Sequence, residues 1–232
     1  MASGFDAIYI ERYDHCQDVV SFWFEKPVGH AFKPGQWFRL TLDVPGGTQL
    51  TETFSYSSAP GDVAIEFTTR ISGSAFKTAL DALVPGQTAH IVGPGGRLTI
   101  PDDLQRVVFL TGGTGITPVR SILRDAEARG RRFDDALVLY GNRDETCVPF
   151  GAEFAEMADI GVRLVLCFER ASDSWQGERG FITADTVKRH VAVDSRPFVV
   201  TGPPVMVGAM ERVLDELSVP AERRLVERYG PA

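Results

Sequence analysis

Three glycines, Gly112, Gly113 and Gly115, lie between an apolar run and the dipeptide Thr117-Pro118 in the segment VVFLTGGTGITP. The apolar run predicts a buried strand. Thr117 suits a helix N-cap, and Pro118 suits the first helical position because the N–H that it lacks has no partner there. Glycines between a strand and a helix N-terminus let the backbone approach a ligand, and the free N–H groups favour a phosphate. The segment predicts a dinucleotide site, with a simple tight turn as the alternative, because short glycine motifs have little specificity.

A second glycine-to-helix transition occurs at Gly73 and Ser74, before a stretch in which Phe76 and Leu80 recur at helical spacing. We expect a short amphipathic helix to begin there. Its N-terminus is a second place where backbone N–H groups could hold a phosphate.

The composition is that of a folded protein with one large domain or two domains of ordinary size, since 44% of the 232 residues are hydrophobic. The formal net charge of −7 argues against a general nucleic-acid or anionic-membrane surface. No window approaches the ~20 apolar residues of a membrane span, and the start of the sequence lacks the layout of a signal peptide. We therefore expect no nucleic-acid partner and no membrane span.

The cysteines Cys16, Cys147 and Cys167 are odd in number, widely separated and without CxxC spacing. This pattern excludes a zinc or iron–sulfur site that the sequence alone could reveal, and it favours a reducing compartment. We therefore expect a cytoplasmic protein without a metal site. Four histidines also lack ligand spacing and are interpreted as surface or turn residues: His15, His30, His90 and His190.

The predicted secondary structure changes along the chain, from mainly strands to alternating strands and helices. Up to about residue 100 the sequence is strand-like, for example where Val63, Ile65 and Phe67 alternate with Ala64 and Glu66, as in half-buried antiparallel strands. Beyond it, the apolar runs VVFLT, ALVLYG, VRLVLCF and PFVVTG alternate with helical patterns, which predicts a parallel sheet covered on both faces. We expect a β-barrel or sandwich domain over residues 1–101 and an α/β domain over 102–232.

Several spaced motifs, in order and over almost the whole chain, resemble those of the ferredoxin–NADP reductase superfamily. The resemblance implies an N-terminal antiparallel Greek-key β-barrel that binds FAD and a C-terminal α/β domain that binds NAD(P)H, with the two ligands meeting between the domains. A glycine-loop dehydrogenase without flavin is disfavoured, because the loop reads GGTGITP and follows a whole β-domain. The motifs are FKPGQWFRL, ETFSYSSAP, TRISGSAFKTAL, GPGGRLTIP, GGTGITP, TGPPVM and the tail VERYGPA.

The resemblance also assigns the flavin site. Phe54 matches the aromatic that packs on the flavin ring, and Ser55 matches the hydroxyl near flavin N5. The alternatives are that Phe54 belongs to the barrel core and that Arg70 is an exposed charge at a strand end. The implied flavin-binding residues are Glu52, Thr53, Phe54, Ser55, Tyr56, Ser57, Arg70, Gly73, Ser74, Ala75 and Phe76.

The resemblance also assigns the coenzyme-binding and catalytic positions. Tyr229 would cover the second flavin face, and Glu227 would relay a proton or orient the nicotinamide; a terminal strand with ordinary packing is the alternative. The catalytic set that the resemblance implies is Ser55, Glu227, Tyr229 and Thr201. The implied NAD(P)-binding residues are Gly112, Gly113, Thr114, Gly115, Thr117, Pro118, Gly202, Pro203 and Pro204.

Two positions depart from the family pattern. Glu52 stands where the family has the arginine that binds the flavin phosphate, and like charges repel by on the order of a kcal/mol near a surface. Arg70, Lys77 or the helix start could compensate, or FAD binds weakly. Thr201 replaces a cysteine beside the nicotinamide, so we expect an altered rate rather than loss of function.

The coenzyme preference leans only slightly to NADP. The strand ALVLYG is followed by Asn142-Arg143, without the acidic residue that binds a ribose 2′-hydroxyl in NAD sites. Arg143, with Arg170 after the next strand, could meet a 2′-phosphate. Exposed arginines are common, so NAD remains the alternative.

Three functions fit the sequence. The leading one is a stand-alone FAD reductase that takes hydride from NAD(P)H and passes electrons to a separate ferredoxin, flavodoxin or oxygenase component. The second keeps the enzyme class but reduces free flavin, ferric chelates or quinones directly. The third is an electron-transfer or regulatory subunit in which Glu52 weakens flavin binding.

Overall fold

The computed structural model describes residues 4–44 and 46–229 of the chain. Residues 230–232, the end of the tail motif VERYGPA, lie outside the described residues. Two six-stranded sheets follow each other in the sequence, the first antiparallel and the second parallel. The two-domain fold predicted from the sequence is thereby confirmed.

The first sheet is barrel-like. Its strands have the order β4-β3-β6-β1-β2-β5, and the edges approach each other where Ser57 N, just beyond β4, donates to Glu66 O of β5 at 2.7 Å. The strands are β1 (Gly4–Cys16), β2 (Val19–Glu25), β3 (Trp37–Val44), β4 (Thr48–Ser55), β5 (Ala64–Arg70) and β6 (Thr88–Gly95).

Aromatic rings fill the barrel. Phe22 stacks on Phe67 with their ring centroids 5.5 Å apart, and both rings are fully buried. Helix α1 (Ala75–Asp81) closes the barrel by burying Phe76 and Leu80 in the same core. Its N-cap is Ser74, whose hydroxyl accepts a hydrogen bond from the Lys77 backbone N–H. The short helix expected after Gly73 is thus present.

The second sheet is parallel throughout, with the order β10-β9-β8-β7-β11-β12. Short 3₁₀ turns at residues 113–115, 157–160 and 221–223 join some of its elements. Its strands are β7 (Arg106–Gly112), β8 (Asp135–Asn142), β9 (Val162–Phe168), β10 (Glu178–Arg179), β11 (Phe198–Gly202) and β12 (Arg224–Arg228). Its helices are α2 (Ile116–Ala128), α3 (Gly151–Glu156), α4 (Ala184–His190) and α5 (Pro204–Glu216).

Both faces of the parallel sheet are covered, as its continuous apolar strands require. Alternate residues of β7 face opposite ways: Phe109 packs in the core with α2 and α3, and Leu110 packs in the core with α4 and α5. No helix among the described residues is long and apolar enough to cross a membrane.

The start of α2 differs from the sequence prediction. The helix begins at Ile116 behind a 3₁₀ turn, its N-cap is Gly115, and no side chain caps it. Thr117 therefore lies inside the first turn, where its hydroxyl donates to the Thr114 carbonyl at 3.0 Å. Because the 3₁₀ turn leads directly into the helix, Thr117 does not act as the N-cap.

A buried ionic cluster joins the two sheets. Arg120 of α2 lies 2.5 Å from the Glu66 carboxylate of β5 and 2.7 Å from that of Glu153 in α3. The prediction that Glu66 faces solvent was therefore wrong, because the α/β layer covers that face of β5 and leaves Glu66 only 3% exposed. Val63, expected to face inward, precedes the strand and is exposed.

The cysteine interpretation also changes. Cys16 at the end of β1 and Cys147 in the segment between β8 and α3 form a disulfide across 131 residues of sequence. Cys167 is free and buried. Spacing along the chain did not reveal the pair, because the two cysteines come together only where the barrel meets the α/β layer.

Candidate active site

A cavity of about 770 Å³ opens between the barrel and the α/β layer. Strands β3, β4 and β5, helix α1, the glycine-rich loop and the end of β12 all contribute to its wall. The side chains that line it are Trp37, Arg39, Thr51, Glu52, Thr53, Phe54, Ser55, Thr68, Thr69, Lys77, Thr114, Thr117, Glu227, Arg228 and Tyr229.

Ser55, Glu227 and Tyr229 meet in this cavity although more than 170 residues separate Ser55 from the other two. The Ser55 hydroxyl donates to Glu227 Oε1 at 3.2 Å and lies 3.1 Å from the Tyr229 hydroxyl, which is 3.3 Å from Thr117 Oγ1. Tyr229 is fixed because its backbone N–H donates to Gly202 O at 3.0 Å. The cluster joins the end of β4 to the end of the parallel sheet.

Burial shifts the pKa values of Glu227 and Tyr229 in this cluster. Desolvation raises the pKa of Glu227 to about 7, against the opposing effect of the hydrogen bond from Ser55. Burial, together with the nearby Glu227 charge, also raises the pKa of Tyr229, so the phenol stays protonated. A carboxyl group that titrates near neutral pH beside a hydroxyl can take up or release a proton during a reaction.

Lys77 and Glu52 form an ion pair of 2.8 Å in the wall of the cavity. The ammonium also donates to Thr69 Oγ1 at 2.8 Å and lies 4.3 Å from the centroid of the Phe54 ring. Burial lowers the pKa of Lys77, an effect that its contact with Glu52 opposes. Of the compensating groups considered for Glu52, Lys77 is the one that contacts it.

Phe54 belongs to both the core and the cavity. It is 7% exposed, its ring centroid lies 4.3 Å from that of Phe67, and it lines the cavity beside Ser55. Tyr56 instead turns into the barrel, where it stacks on Phe32. Ser57 is also buried, and its hydroxyl lies 3.0 Å from Thr68 Oγ1.

The residues expected around the flavin phosphates lie outside the cavity wall. Arg70 pairs with Asp18 of the β1–β2 turn. Gly73, Ser74 and Ala75 are exposed at the start of α1, where the Ser74 hydroxyl already engages one backbone N–H. Lys77, one turn further along the helix, reaches the cavity in their place.

Sequence reasoning missed Arg39 and Trp37, which line the cavity from β3. Strand pairing places Arg39 opposite Thr53 and Trp37 opposite Ser55. The cross-strand register with the motif ETFSYSSAP is the signal that could have found them. Thr51, Thr68, Thr69 and Arg228 were missed as well.

Glycine occurs at the three positions of the GGTGITP loop for different structural reasons. A Cβ on Gly112 would lie 2.5 Å from Met206 Sδ, and one on Gly115 would lie 2.5 Å from Thr201 O. Gly113 has φ +52° and open space around its missing side chain. Internal packing thus requires Gly112 and Gly115, whereas Gly113 is the position that faces outward. Thr114 and Thr117 line the cavity, and Pro118 is buried in α2.

Thr201 does not line the cavity. Its fully buried hydroxyl donates to the Gly115 carbonyl at 2.8 Å and lies 3.2 Å from Thr111 Oγ1. It therefore supports the glycine loop from behind. Gly202, Pro203 and Pro204 make the transition from β11 into α5, with Gly202 at φ +153°.

Arg143 and Arg170 are brought together at the carboxyl edge of the parallel sheet. The Arg170 N–H donates to Arg143 O at 2.7 Å, and both side chains are exposed. They lie in the segments after β8 and β9, outside the cavity wall. Two neighbouring segments thus each carry an arginine at this edge, a residue type that can meet a 2′-phosphate in such sites. The Arg170 side chain also lies 3.8 Å from the Glu169 carboxylate.

Comparison with known proteins agrees with this geometry. Residues 109–212 match the family described as "Oxidoreductase NAD-binding domain". The chain is 34% identical over 223 residues to ferredoxin–NADP reductase B of Sorangium cellulosum, covering 89% of each protein. The chain belongs to the ferredoxin–NADP reductase superfamily. The family resemblance predicted from the motifs is thereby confirmed, and the chain is an NAD(P)H-dependent flavoprotein oxidoreductase.

Two further members of the superfamily are similar to this chain. The ferredoxin–NAD(+) reductase component of the Xanthobacter autotrophicus alkene monooxygenase system is 29% identical over 85% of this chain, which spans 62% of that protein. The Neisseria gonorrhoeae ferredoxin NADP+ reductase, solved with FAD and NADP, superposes with a TM-score of 0.85 at 21% identity over 98% of this chain and 99% of that one. The latter shows that the whole two-sheet fold is shared.

Proposed function

We propose that the chain takes hydride from NAD(P)H onto FAD and passes the electrons to a separate redox protein, such as a ferredoxin, a flavodoxin or an oxygenase component. The observation that carries this proposal is the Ser55–Glu227–Tyr229 cluster in an open cavity between the two sheets. When bound, FAD accepts two electrons together and releases them singly, which suits one-electron acceptors.

The cavity fits such a cofactor. Its volume of about 770 Å³ lies within the range of ligand sites, and space is open beside both Phe54 and Ser55. The basic side chains Arg39, Lys77 and Arg228 outnumber the carboxylates Glu52 and Glu227, so the wall favours an anion.

The roles of the residues follow from their positions. Lys77 and Arg39 would hold the diphosphate side of FAD, and Ser55 and Tyr229 would flank its ring. Ser55 can pass a proton to Glu227, whose pKa is raised by burial to about 7. The glycine loop, with Thr114 and Thr117, would bring the nicotinamide to the same place, which converts an encounter into an oriented step.

We further propose that residues 1–101 form the FAD domain and residues 102–232 the NAD(P) domain. The gap between β6, which ends at Gly95, and β7, which begins at Arg106, supports this division. A cytoplasmic location is proposed because NAD(P)H is made and used there. Direct reduction of free flavin, ferric chelates or quinones is the alternative acceptor chemistry.

A subunit with weak flavin binding is disfavoured by the ion pair of Glu52 with Lys77, which neutralises the carboxylate that motivated it. NADP is favoured over NAD by the adjacent Arg143 and Arg170.

The decisive experiment is the visible absorption spectrum of purified protein supplied with FAD, before and after anaerobic addition of NADH or NADPH. Flavin bands that bleach faster with NADPH are expected. Protein that stays colourless after incubation with FAD and gel filtration contradicts the function. Turnover with ferredoxin compared with ferric citrate then separates the two acceptor classes.

A further inference from the structure

The Cys16–Cys147 disulfide is a covalent link between the barrel and the α/β layer. Cys16 is the last residue of β1, and Cys147 lies in the segment that follows β8. Both cysteines are half-buried, so a small thiol can reach the bond. The reductase chemistry described above makes no use of it.

Arginines predicted from the sequence to bind the two ligands lie near each cysteine of the bond. On the barrel side, an Asp18 carboxylate oxygen is 3.8 Å from Cys16 Sγ, and Asp18 pairs with Arg70 at the end of β5. On the other side, Cys147 follows Arg143 by four residues in the same connecting segment. A change at the bond is therefore positioned to move the segment that carries Arg143.

The other contacts of that segment differ along its length. In its first part they are exposed: Glu145 accepts hydrogen bonds from the backbone N–H and hydroxyl of Ser172 at 2.9 and 2.8 Å, and such contacts contribute little stability. Its far end is packed, because the Phe150 ring lies 4.6 Å from the His15 ring of β1 and also contacts the core of the α/β layer. The disulfide is therefore a restraint to the barrel chiefly for residues 143–147.

We propose that Cys16–Cys147 is a thiol–disulfide exchange site whose reactant is a dithiol, and that its reduction loosens residues 143–147 and weakens NAD(P)H binding. The binding part rests on the proposed function, whereas the exchange and the loosening do not. In the oxidised state the bond holds Cys147, four residues beyond Arg143, against the end of β1.

The chemistry balances with a dithiol alone. One thiolate attacks Cys147 Sγ, and the S–S bond breaks to leave a mixed disulfide and the Cys16 thiolate. The second thiol of the reductant then displaces Cys147. Two electrons and two protons move to the protein, which gains two thiols, and the dithiol becomes a disulfide.

The test compares air-oxidised protein with protein treated with dithiothreitol. Thiol counting by mass after alkylation is expected to give one thiol, that of Cys167, before treatment and two more after it. Amide hydrogen exchange, read without coenzyme, is expected to accelerate in residues 143–147. In steady state, the KM for NADPH is expected to rise at least about fivefold with little change in kcat.

Matched variants separate reduction of the Cys16–Cys147 bond from other effects of the reductant. Cys16→Ser and Cys147→Ser should each behave like reduced wild type and ignore dithiothreitol, whereas Cys167→Ala should respond like wild type. Three free thiols in air-oxidised protein, or hydrogen exchange in residues 143–147 that reduction leaves unchanged, overturns the proposal. Faster exchange in a protein that fails to reduce FAD would instead refute the proposed function and leave the exchange site standing.

Discussion

Lys77 Nζ lies 2.8 Å from the Glu52 carboxylate, so the residue that replaces the family's phosphate-binding arginine is neutralised from helix α1. Lys77 is buried, and its ammonium also lies over Phe54. The pair brings a cation from helix α1 to the cavity wall beside residue 52. It neutralises the Glu52 carboxylate but adds no net positive charge at this position.

Lys77→Met is expected to raise the Kd for FAD about tenfold or more, because it leaves Glu52 unpaired where a diphosphate must bind. Glu52→Gln is expected to lower the Kd, and the double variant to lie between the two. Fluorescence titration of apoprotein with FAD measures all three. Unchanged affinity for FAD in Lys77→Met would show that the Lys77–Glu52 pair does not contribute to FAD binding.

Arg39→Gln is expected to weaken FAD binding about tenfold, because it removes an exposed cation from the cavity wall. The loss should shrink as salt is added, since the side chain is exposed. Arg132→Gln, which changes an exposed arginine outside the cavity, is the matched control. Equal losses in both variants would indicate a general charge effect and no direct contact.

Glu227→Gln tests the raised carboxyl pKa. The folded pKa of about 7 lies above the ordinary 4.5, so the folded state holds a proton between these values that the unfolded state releases. Stability is therefore lost as pH rises from about 4.5 to about 7. The wild-type free energy of unfolding should fall by on the order of 2 kcal/mol relative to Glu227→Gln across this window.

Urea unfolding of both proteins at pH 5 and pH 8 measures that difference, in which the other titrating groups cancel. A difference that does not depend on pH would show that Glu227 titrates normally. The same substitution should remove from the pH–rate profile a group that titrates near pH 7.

Arg143→Gln and Arg170→Gln are each expected to lower kcat/KM for NADPH about tenfold, because each removes a charged partner of a 2′-phosphate. Activity with NADH should change little, which makes NADH the internal control. Equal losses with both coenzymes would place the arginines elsewhere in coenzyme binding.

Arg120→Leu is expected to destabilise the protein by about 3–5 kcal/mol, because it leaves the buried Glu66 carboxylate without the cation that it pairs with. Glu153, the second partner of Arg120, keeps its ion pair with Arg124 at 3.2 Å. Adding Glu66→Gln should recover part of the loss. Urea unfolding monitored by fluorescence measures both. A loss below about 1 kcal/mol would mean that water replaces the arginine.

The sequence by itself determined the elements and the family. The apolar run before Gly112 and the helical pattern after it are local features, and the structure has a strand and a helix there, although the helix starts at Ile116. Local periodicity suffices because each helix or strand buries the face that its own side chains define.

Tertiary structure decided which residues meet. The sequence predicted that Ser55, Glu227 and Tyr229 share a site only through family resemblance. Arg39 was missed because its place in the cavity wall depends on how β3 pairs with β4. The sequence also assigned the phosphate-site role to Gly73, Ser74 and Arg70, which the structure leaves outside the cavity wall.

Glu66 and the two bridged cysteines show the physical reason. Glu66 follows the pattern of a solvent-facing residue, and Cys16 and Cys147 lack any recognisable spacing, yet all three lie where the barrel packs on the α/β layer. Burial there depends on the surface of the other half of the chain. Contacts between residues distant in sequence leave no periodic trace, so only the packed structure reveals them.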